Sequence, residues 1–298
     1  MTIDEMLKYN MQSAKDFGWD PTWFGLDMND YSQILLDKIY QFQQEHDLQA
    51  DGLLGPVTFR RLWTWVERNQ DEEKPFIIAK ESSSIVYRGE HFPIFWSKVV
   101  HWTEKKGLSC KSKKIKNRKP KFFVNHWDVC LSSRSCASVL SKRGLGVHFC
   151  IDNDGTIFQL CDIEDLCYHA GGFNTWSIGV EISNAYYPKY QDHYKRRGYG
   201  ERPIMENQKV HGSRLKPFLG FYPHQEQALA SLWAAVSIAC NIPITIPDEK
   251  NGLMKNIANP TGFVGHYHVS RKKIDPIGLD FDYIKDMAIK IKNLQLRS

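Results

Sequence analysis

Two apolar segments in the middle of the chain flank residues that are typical of a tight turn. Residues 147–151 alternate in character and lead into Asp154 and Gly155, after which residues 156–160 are again largely apolar. An Asp-Gly pair between such segments is typical of a β-hairpin, because these residues tolerate the positive φ that a tight hairpin turn requires. The sequence therefore predicts an antiparallel pair of strands in the middle of the chain.

Strands and helices are predicted on either side of this hairpin. Residues 122–124 form a short apolar segment typical of a strand, and residues 178–182 place three aliphatic side chains on one face and Glu181 on the other. Residues 228–240 and 281–294 carry apolar side chains at helical spacing. The simplest architecture is α/β, with a mixed central sheet flanked by helices.

The N-terminal residues predict helices alone. Residues 31–46 carry one apolar stripe at helical spacing. Asp51-Gly52 marks a turn, and Pro56 suits the first position of a second helix, because its missing N–H needs no partner there. The sequence thus predicts two short helices around a glycine-rich loop.

This helical segment resembles the small three-helix peptidoglycan-binding module. In that module a helix ends in Phe-Gln and is followed by a loop of the form DGxxGPxT and a second helix. The matching residues, within residues 5–68, are Phe42-Gln43, Asp51-Gly52, Gly55-Pro56 and Thr58. The resemblance implies a small all-α three-helix N-terminal domain that binds peptidoglycan. Turn and cap chemistry in an unrelated helical hairpin is the alternative.

Three segments follow from these patterns. Residues 1–70 form the helical domain, residues 121–298 form the α/β domain, and residues 71–120 form a linker. The alternation of residues 85–102 allows a hairpin within that linker. The linker ends in a basic run over residues 105–121, which holds nine basic residues and no acidic one. Such a run is typical of a solvated linker, and a polyanion-contacting arm is the alternative.

Charge and hydropathy limit the classes of partner. The formal net charge of +5 is modest for 298 residues, and it suits anionic polymers without selecting nucleic acid over cell wall. We expect no nucleic-acid partner, because the basic run has neither aromatic interleaving nor a helix-turn-helix pattern. No stretch approaches the ~18 apolar residues of a membrane span, and the N-terminus has no apolar core of signal-peptide type. We therefore expect no membrane insertion and no export by the ordinary secretory route.

Seven cysteines occur at irregular spacing without a CxxC pair. This pattern indicates neither a disulfide framework nor a cysteine-based structural zinc site, so buried thiols are expected. Cys130 and Cys136 are close enough in sequence to form a disulfide if the protein meets an oxidising compartment, and that pairing stays open.

Two histidines and one aspartate stand at positions suited to a metal site. His126 follows an apolar strand in FFVNHWD, His266 follows a second apolar segment, and Asp275 lies nine residues later. Imidazole nitrogen and carboxylate oxygen are zinc ligands, and three protein ligands leave a fourth tetrahedral position for water. Such a site is typical of a catalytic centre. His268 shares the face of His266 if the segment is extended, and it is the alternative ligand.

The C-terminal part of the chain, over residues 121–290, resembles the zinc-dependent type-2 N-acetylmuramoyl-L-alanine amidases, relatives of the peptidoglycan recognition proteins and phage amidases. Four motifs carry the resemblance in order: strand-terminal His126, HFCIDNDGTIFQL at 148–160, YHAGGFNTWSIGVEI at 168–182, and GHYHVSRKKIDP at 265–276. The resemblance places the family's zinc ligands on His126, His266 and Asp275. It places the two catalytic helpers on Glu181 and Lys273, and the positions that border the substrate on His148, His169 and Asn174.

The resemblance further implies zinc as cofactor and peptidoglycan as substrate. The implied reaction is hydrolysis of the amide bond between N-acetylmuramic acid and L-alanine, with Glu181 as general base and then general acid. Lys273 would offset negative charge on the carbonyl oxygen. We expect a monomeric phage endolysin that reaches the murein layer through a holin or as a virion component. A bacterial autolysin and a noncatalytic peptidoglycan-recognition protein are the alternatives. Noncatalytic recognition proteins typically lack a zinc ligand, and none of the implied ligands is missing from this sequence.

Overall fold

A computed structural model describes residues 1–46, 48–59, 61–62 and 83–297. The chain divides into two compact units. The first consists of Met1–Glu81 and Asp192–Glu201, and the second consists of Ser82–Gln191 and Arg202–Ser298. Residues 71–82, at the start of the predicted linker, lie outside the described residues.

Helices occur in both units. The α-helices are α1 (Ile3–Phe17), α2 (Gln33–Glu45), α3 (Ser133–Lys142), α4 (Gln191–Arg196), α5 (Pro223–Cys240), α6 (His266–Val269) and α7 (Phe281–Gln295). Short 3-10 helices cover Pro21–Phe24, Gly171–Trp176 and Pro188–Tyr190. Residues 56–59 and 61–62 are also helical, so the second N-terminal helix begins at Pro56 as predicted.

The described strands all belong to the second unit. They are β1 (Ser83–Tyr87), β2 (Glu90–Ile94), β3 (Val99–His101), β4 (Ser112–Lys113), β5 (Phe122–Trp127), β6 (Phe149–Ile151), β7 (Ile157–Gln159), β8 (Leu166–Cys167), β9 (Ser177–Ile182), β10 (Ile204–Met205), β11 (Lys209–Val210), β12 (Ser213–Arg214), β13 (Phe218–Leu219) and β14 (Gly262–Gly265).

One buried glutamine organises the loop of the N-terminal unit. The Gln43 Oε1 atom accepts hydrogen bonds from the N–H groups of Asp51 and Gly52, at 3.0 and 2.8 Å. Its Nε2 atom donates to the carbonyl oxygen of Leu53 and to Thr58 Oγ1. The loop therefore depends on a side chain of α2. The preceding residue of that helix packs in a core of Ala14, Trp19, Leu35, Ile39, Phe42, Leu54, Phe59 and Leu62.

Six strands form the central sheet of the second unit, in the order β14-β5-β9-β6-β7-β3. The predicted hairpin is confirmed as the antiparallel pair β6 and β7, and Gly155 in its turn has φ of 72°. The pairs β14-β5, β5-β9, β6-β9 and β3-β7 are parallel. The sheet is therefore mixed, as the alternation of strands and helices predicts.

Helices cover both faces of this sheet. On one face, Trp233 of α5 stacks on Phe263 of β14 at 4.5 Å between ring centroids, and its Nε1 atom donates to Asn125 Oδ1. Because side chains alternate along a strand, the neighbouring His126 points to the other face. There α3 packs Cys136, Ala137 and Leu140 against the sheet in a cluster with Leu108, Val147, Cys150 and Leu160. The α/β fold class is confirmed.

The second unit includes much of the stretch for which the sequence predicts a linker. β1 and β2 form the hairpin that the sequence allowed, and β3 adds a strand to the edge of the central sheet. The Gln159 side chain bonds both backbone groups of Val86, which fastens β1 beside β7. Arg118 of the basic run is only 4% exposed. β3 is short and pairs with the distant β7, so the local pattern could not assign it to the sheet. Among the described helices, none is long and apolar enough to cross a membrane.

Candidate active site

Two neighbouring parallel strands bring the predicted histidines together. β5 and β14 pair up to Asn125 and Gly265; His126 is the next residue of β5, and His266 follows β14 as the first residue of α6. Asp275 returns to the same place, because its carbonyl oxygen accepts a hydrogen bond from the Tyr267 N–H at 3.0 Å. The proximity of the three side chains therefore follows from strand register and one backbone contact.

The three side chains face one point. The Nδ1 atoms of His126 and His266 are 2.9 Å apart, and each lies 3.0 Å from Asp275 Oδ2. A tetrahedral zinc ion with bonds of about 2.0–2.1 Å separates its ligand atoms by about 3.3 Å, so a small outward shift would accommodate one. Two imidazole nitrogens and one carboxylate oxygen are also a donor set that zinc accepts. Geometry and chemistry both fit the ion.

Burial controls the protonation of this group. All three residues are buried, at 2% exposure for His126, 6% for His266 and 9% for Asp275. Burial, and then the neighbouring His266, lower the pKa of His126 to about 4, which keeps that imidazole neutral. Burial opposes ionisation of Asp275, but hydrogen bonds from the two histidines hold its pKa below the usual range. Neutral imidazole and ionised carboxylate are the forms that bind metal.

His169 contacts the ring nitrogen of His126 that does not contact Asp275. Its Nδ1 atom is 3.0 Å from His126 Nε2, and its Nε2 atom is 3.2 Å from Ser177 Oγ. A β-carbon at residue 179 would lie 2.7 Å from the His169 ring, so Gly179 makes room for it. With a metal bound, the proton of His126 would lie on Nε2 and be donated to His169, which leaves Nδ1, the atom that contacts Asp275, for the metal. His169 thus fixes the orientation and tautomer of a candidate ligand.

Glu181 and Lys273 border the same cavity, of about 210 Å³. Glu181 lies directly opposite His126 in the pairing of β5 and β9. Its Oε2 atom is buried and has no hydrogen-bond partner among the described residues. Burial, then the charges of Asp128 and Asp275, raise the pKa of Glu181 well above its usual value. Lys273 is exposed and interacts electrostatically with both Glu181 and His126.

His148 does not reach this cavity as a substrate contact would require. It is fully buried, its Nδ1 atom accepts the Gly179 N–H, and its Nε2 atom donates to the carbonyl oxygen of Asp165. Both ring nitrogens are therefore used by the backbone. Asn174 also acts on the backbone, because its Oδ1 atom accepts the N–H groups of His169 and Ala170.

His268, the alternative ligand, is likewise engaged elsewhere. Its Nδ1 atom accepts the Gly265 N–H, and its Nε2 atom donates to the carbonyl oxygen of Glu249. Burial lowers its pKa to about 4. The helical turn of α6 explains the difference, because the segment is not extended as the alternative required.

Sequence reasoning missed several residues of the cavity wall. Asp128, Arg143 and Tyr168 line it together with the predicted residues. Asp128 Oδ2 is buried without a hydrogen-bond partner among the described residues, and burial followed by the charge of Cys130 raises its pKa. The position of Asp128, two residues after His126, was the only feature of the local sequence that indicated a place in the cavity wall. The other two come from distant elements.

More than half of the sequence, mostly within the second unit, matches a known family. The family is Amidase_2, described as N-acetylmuramoyl-L-alanine amidase, and the match covers residues 99–278. The chain belongs to this amidase family. Both histidines, Asp275, Glu181 and Lys273 lie within the matched residues. A comparison with curated proteins found no match.

Solved amidase structures are similar to this chain at low identity. The N-acetylmuramoyl-L-alanine amidase LysC from Clostridium intestinale URNW has 18% identity and a TM-score of 0.40, over 63% of this chain and 95% of that chain. The amidase AmiD from E. coli, bound to anhydro-N-acetylmuramic acid-L-Ala-D-gamma-Glu-L-Lys, has 20% identity and a TM-score of 0.38, over 59% and 60%. The Ph2119 endolysin from a Thermus scotoductus bacteriophage has 15% identity and a TM-score of 0.37, over 64% and 99%.

Proposed function

We propose that this chain hydrolyses the amide bond between N-acetylmuramic acid and L-alanine in peptidoglycan, with zinc held by His126, His266 and Asp275. The observation that carries the proposal is the convergence of these three donor atoms, within 3.0 Å of one another. Beside them lies a carboxylate oxygen of Glu181 that has no hydrogen-bond partner in the part of the chain that the structure describes. Membership of the amidase family supports the assignment of this amide bond as the one that is cleaved.

The residues divide the chemistry between them. Bound zinc supplies Lewis-acid activation of water and of the scissile carbonyl. Glu181 accepts a proton from the attacking water at its Oε2 atom and passes that proton to the departing L-alanine nitrogen. Its raised pKa favours this exchange, because a carboxyl group that holds a proton readily can act as acid after acting as base.

Two further side chains support the reaction. The Lys273 ammonium, which borders the cavity, offsets negative charge that develops on the carbonyl oxygen. His169 keeps His126 in the tautomer that presents Nδ1 to the metal. Neither residue needs to exchange a proton with the substrate for these roles.

Mass spectrometry of digested cell walls tests the proposed reaction. Purified peptidoglycan treated with the protein should release stem peptides that begin with a free L-alanine amine and leave muramic acid with a free lactyl carboxylate. A digest in which glycan bonds or bonds within the peptide are cut instead would contradict the proposal.

We further propose that the activity lyses bacteria, as in an endolysin. Catalysis distinguishes this role from that of a noncatalytic recognition protein, which would bind walls without cutting them. Permeabilised cells should lose turbidity when the protein is added, and a chelator should prevent the loss. Binding without a fall in turbidity would favour recognition, and an autolysin would act on the walls of the organism that produces it.

The N-terminal unit is proposed as the wall-binding part. It holds a cavity of about 380 Å³, lined by Trp23, Phe24, Gly25, Lys38, Gln41, Phe42 and Glu45. Aromatic rings beside polar side chains are typical of sites that bind sugars and peptides. The Phe-Gln and Asp-Gly residues that carry the resemblance to the peptidoglycan-binding module lie in the same unit.

A pelleting assay with insoluble walls tests this role. The double change of Lys38→Ala and Glu45→Ala should weaken co-sedimentation and leave cleavage of a soluble muropeptide intact. An equivalent change of Lys8 and Asp4, which are also on the first unit but outside the cavity, is the control. Unchanged co-sedimentation of the cavity variant would contradict a wall-binding role.

A further inference from the structure

Three cysteine thiols converge in the second unit away from the amidase site. Cys110 precedes β4, Cys161 follows β7, and Cys167 ends β8. Their Sγ atoms all lie within 4.8 Å of one another, and those of Cys161 and Cys167 are 3.4 Å apart. Cys161 and Cys167 are buried, whereas Cys110 is half-buried. The cluster therefore has one side that solvent can reach.

These distances suit a thiolate metal site. A tetrahedral zinc ion with Zn–S bonds of about 2.3 Å separates its sulfur ligands by about 3.8 Å. The Cys161–Cys167 separation is a little shorter than this, so a small shift would open it to the spacing of a bound ion. A disulfide would require about 2.05 Å and would use only two of the three thiols.

A buried cation stands beside the sulfur atoms. Arg118 is 4% exposed and interacts electrostatically with both Cys161 and Cys167. Its guanidinium group also donates to the carbonyl oxygens of Ile163 and Glu164, which lie between the two cysteines. Three thiolates with one divalent ion leave one negative charge, and Arg118 balances it. Charge balance of this kind is what a buried ionic site requires.

The backbone around Cys110 leaves room for the cluster. β4 pairs with β8 so that Ser112 lies opposite Cys167. A β-carbon at residue 146 would lie 2.8 Å from Cys110 Sγ, and Gly146 avoids that contact. In the thiol form, Cys110 Sγ donates a hydrogen bond to the carbonyl oxygen of Val147 at 3.1 Å.

We infer that Cys110, Cys161 and Cys167 bind a thiophilic divalent cation such as zinc at a second, structural site. The ion connects the segment between β3 and β4 to residues 161–167, which follow β7. Solvent supplies the remaining ligand on the side of Cys110. Sequence spacing does not indicate this site, because the three cysteines lack the paired spacing of ordinary cysteine zinc motifs.

Cobalt substitution of the full-length protein tests the inference. Thiolate ligands give cobalt an intense near-ultraviolet charge-transfer absorption, which histidine and carboxylate ligands do not give. The wild type and His126→Ala should both show this absorption, whereas Cys110→Ser and Cys161→Ser should lose it. Cys240→Ser is the matched control, because Cys240 is a partly exposed free thiol outside the cluster and the absorption should persist.

Elemental analysis gives a second readout. Protein purified under reducing conditions should carry about two zinc ions per chain, and Cys161→Ser should carry about one. Cobalt-loaded wild type without the charge-transfer absorption would overturn the inference, and this result needs no variant to fold. A Cys161–Cys167 disulfide in peptide maps of thiol-protected protein would also overturn it. Neither outcome depends on whether the amidase site binds metal.

Discussion

His126 on β5 lies directly opposite Glu181 on β9 in the parallel register of the central sheet. Residues paired in this way point to the same face, so the backbone places an imidazole and a carboxylate side by side. β14, which pairs with β5 on the side away from β9, brings His266 to the same end of the strands. The arrangement of the proposed metal ligands and the proposed base therefore follows from the strand register of the sheet.

Replacement of the proposed base should separate catalysis from metal binding. Glu181→Gln keeps the size of the side chain but cannot accept the proton, so we expect turnover to fall by about 100- to 10,000-fold. Bound zinc should be unchanged. Glu90→Gln on the exposed part of β2 is the matched control. Wild-type turnover in Glu181→Gln would show that another group takes the proton.

Loss of His169 should weaken metal binding without removing a ligand. His169→Ala removes the contact that orients His126, and metal affinity should fall about 10- to 100-fold. Competition with a chelator of known affinity measures the change. The exposed His91→Ala is the control. Unaltered affinity would mean that packing alone orients the His126 ring.

Gln43 should stabilise the loop of the N-terminal unit. Gln43→Ala leaves the Asp51 and Gly52 N–H groups without their acceptor, at a cost of about 1–3 kcal/mol. Hydrogen exchange of residues 51–54 should quicken by about tenfold or more, since about 1.4 kcal/mol is a factor of ten. Gln41→Ala, at an exposed position of the same helix, should leave this exchange unchanged. Equal exchange in both variants would refute the role of Gln43.

Stability should fall as the solution becomes acidic. Burial, and then the charge of Arg118, lower the pKa of His148 to about 3, against about 6.5 for an unfolded histidine. The unfolded chain therefore binds more protons than the folded chain between these values. The contribution of His148 is fully present above about pH 6.5 and is lost at about 1.4 kcal/mol per pH unit as pH falls toward 3.

Denaturant unfolding between about pH 7 and pH 5 measures this slope, with chelator present so that metal release does not contribute. His148→Gln should reduce the slope most at the acid end of that window, where the reduction approaches about 1.4 kcal/mol per pH unit. His91→Gln, which changes an exposed histidine, should leave the slope as in the wild type. An unchanged slope in His148→Gln would mean that His148 is not neutral in the fold.

The local sequence pattern predicted those helices and strands whose apolar spacing or turn residues lie within one continuous segment. The hairpin around Gly155, strands β5 and β9, and helices α2, α5 and α7 all follow from spacing or turn chemistry. Contacts between distant segments could not be predicted in this way. His148 is an example, because the groups that occupy its ring belong to Gly179 and Asp165. The cysteine cluster is another, because strand pairing alone brings Cys110 to the other two thiols.

Hydrolysis of a soluble muropeptide by metal-depleted protein is the most direct test of the proposed centre. Depletion with a chelator should abolish cleavage, and added zinc should restore it in the wild type. His126→Ala and Asp275→Ala should stay inactive at the same zinc concentration, because each lacks one of the three donors. Undiminished cleavage by the metal-free wild type, or by Asp275→Ala, would contradict the proposed zinc mechanism.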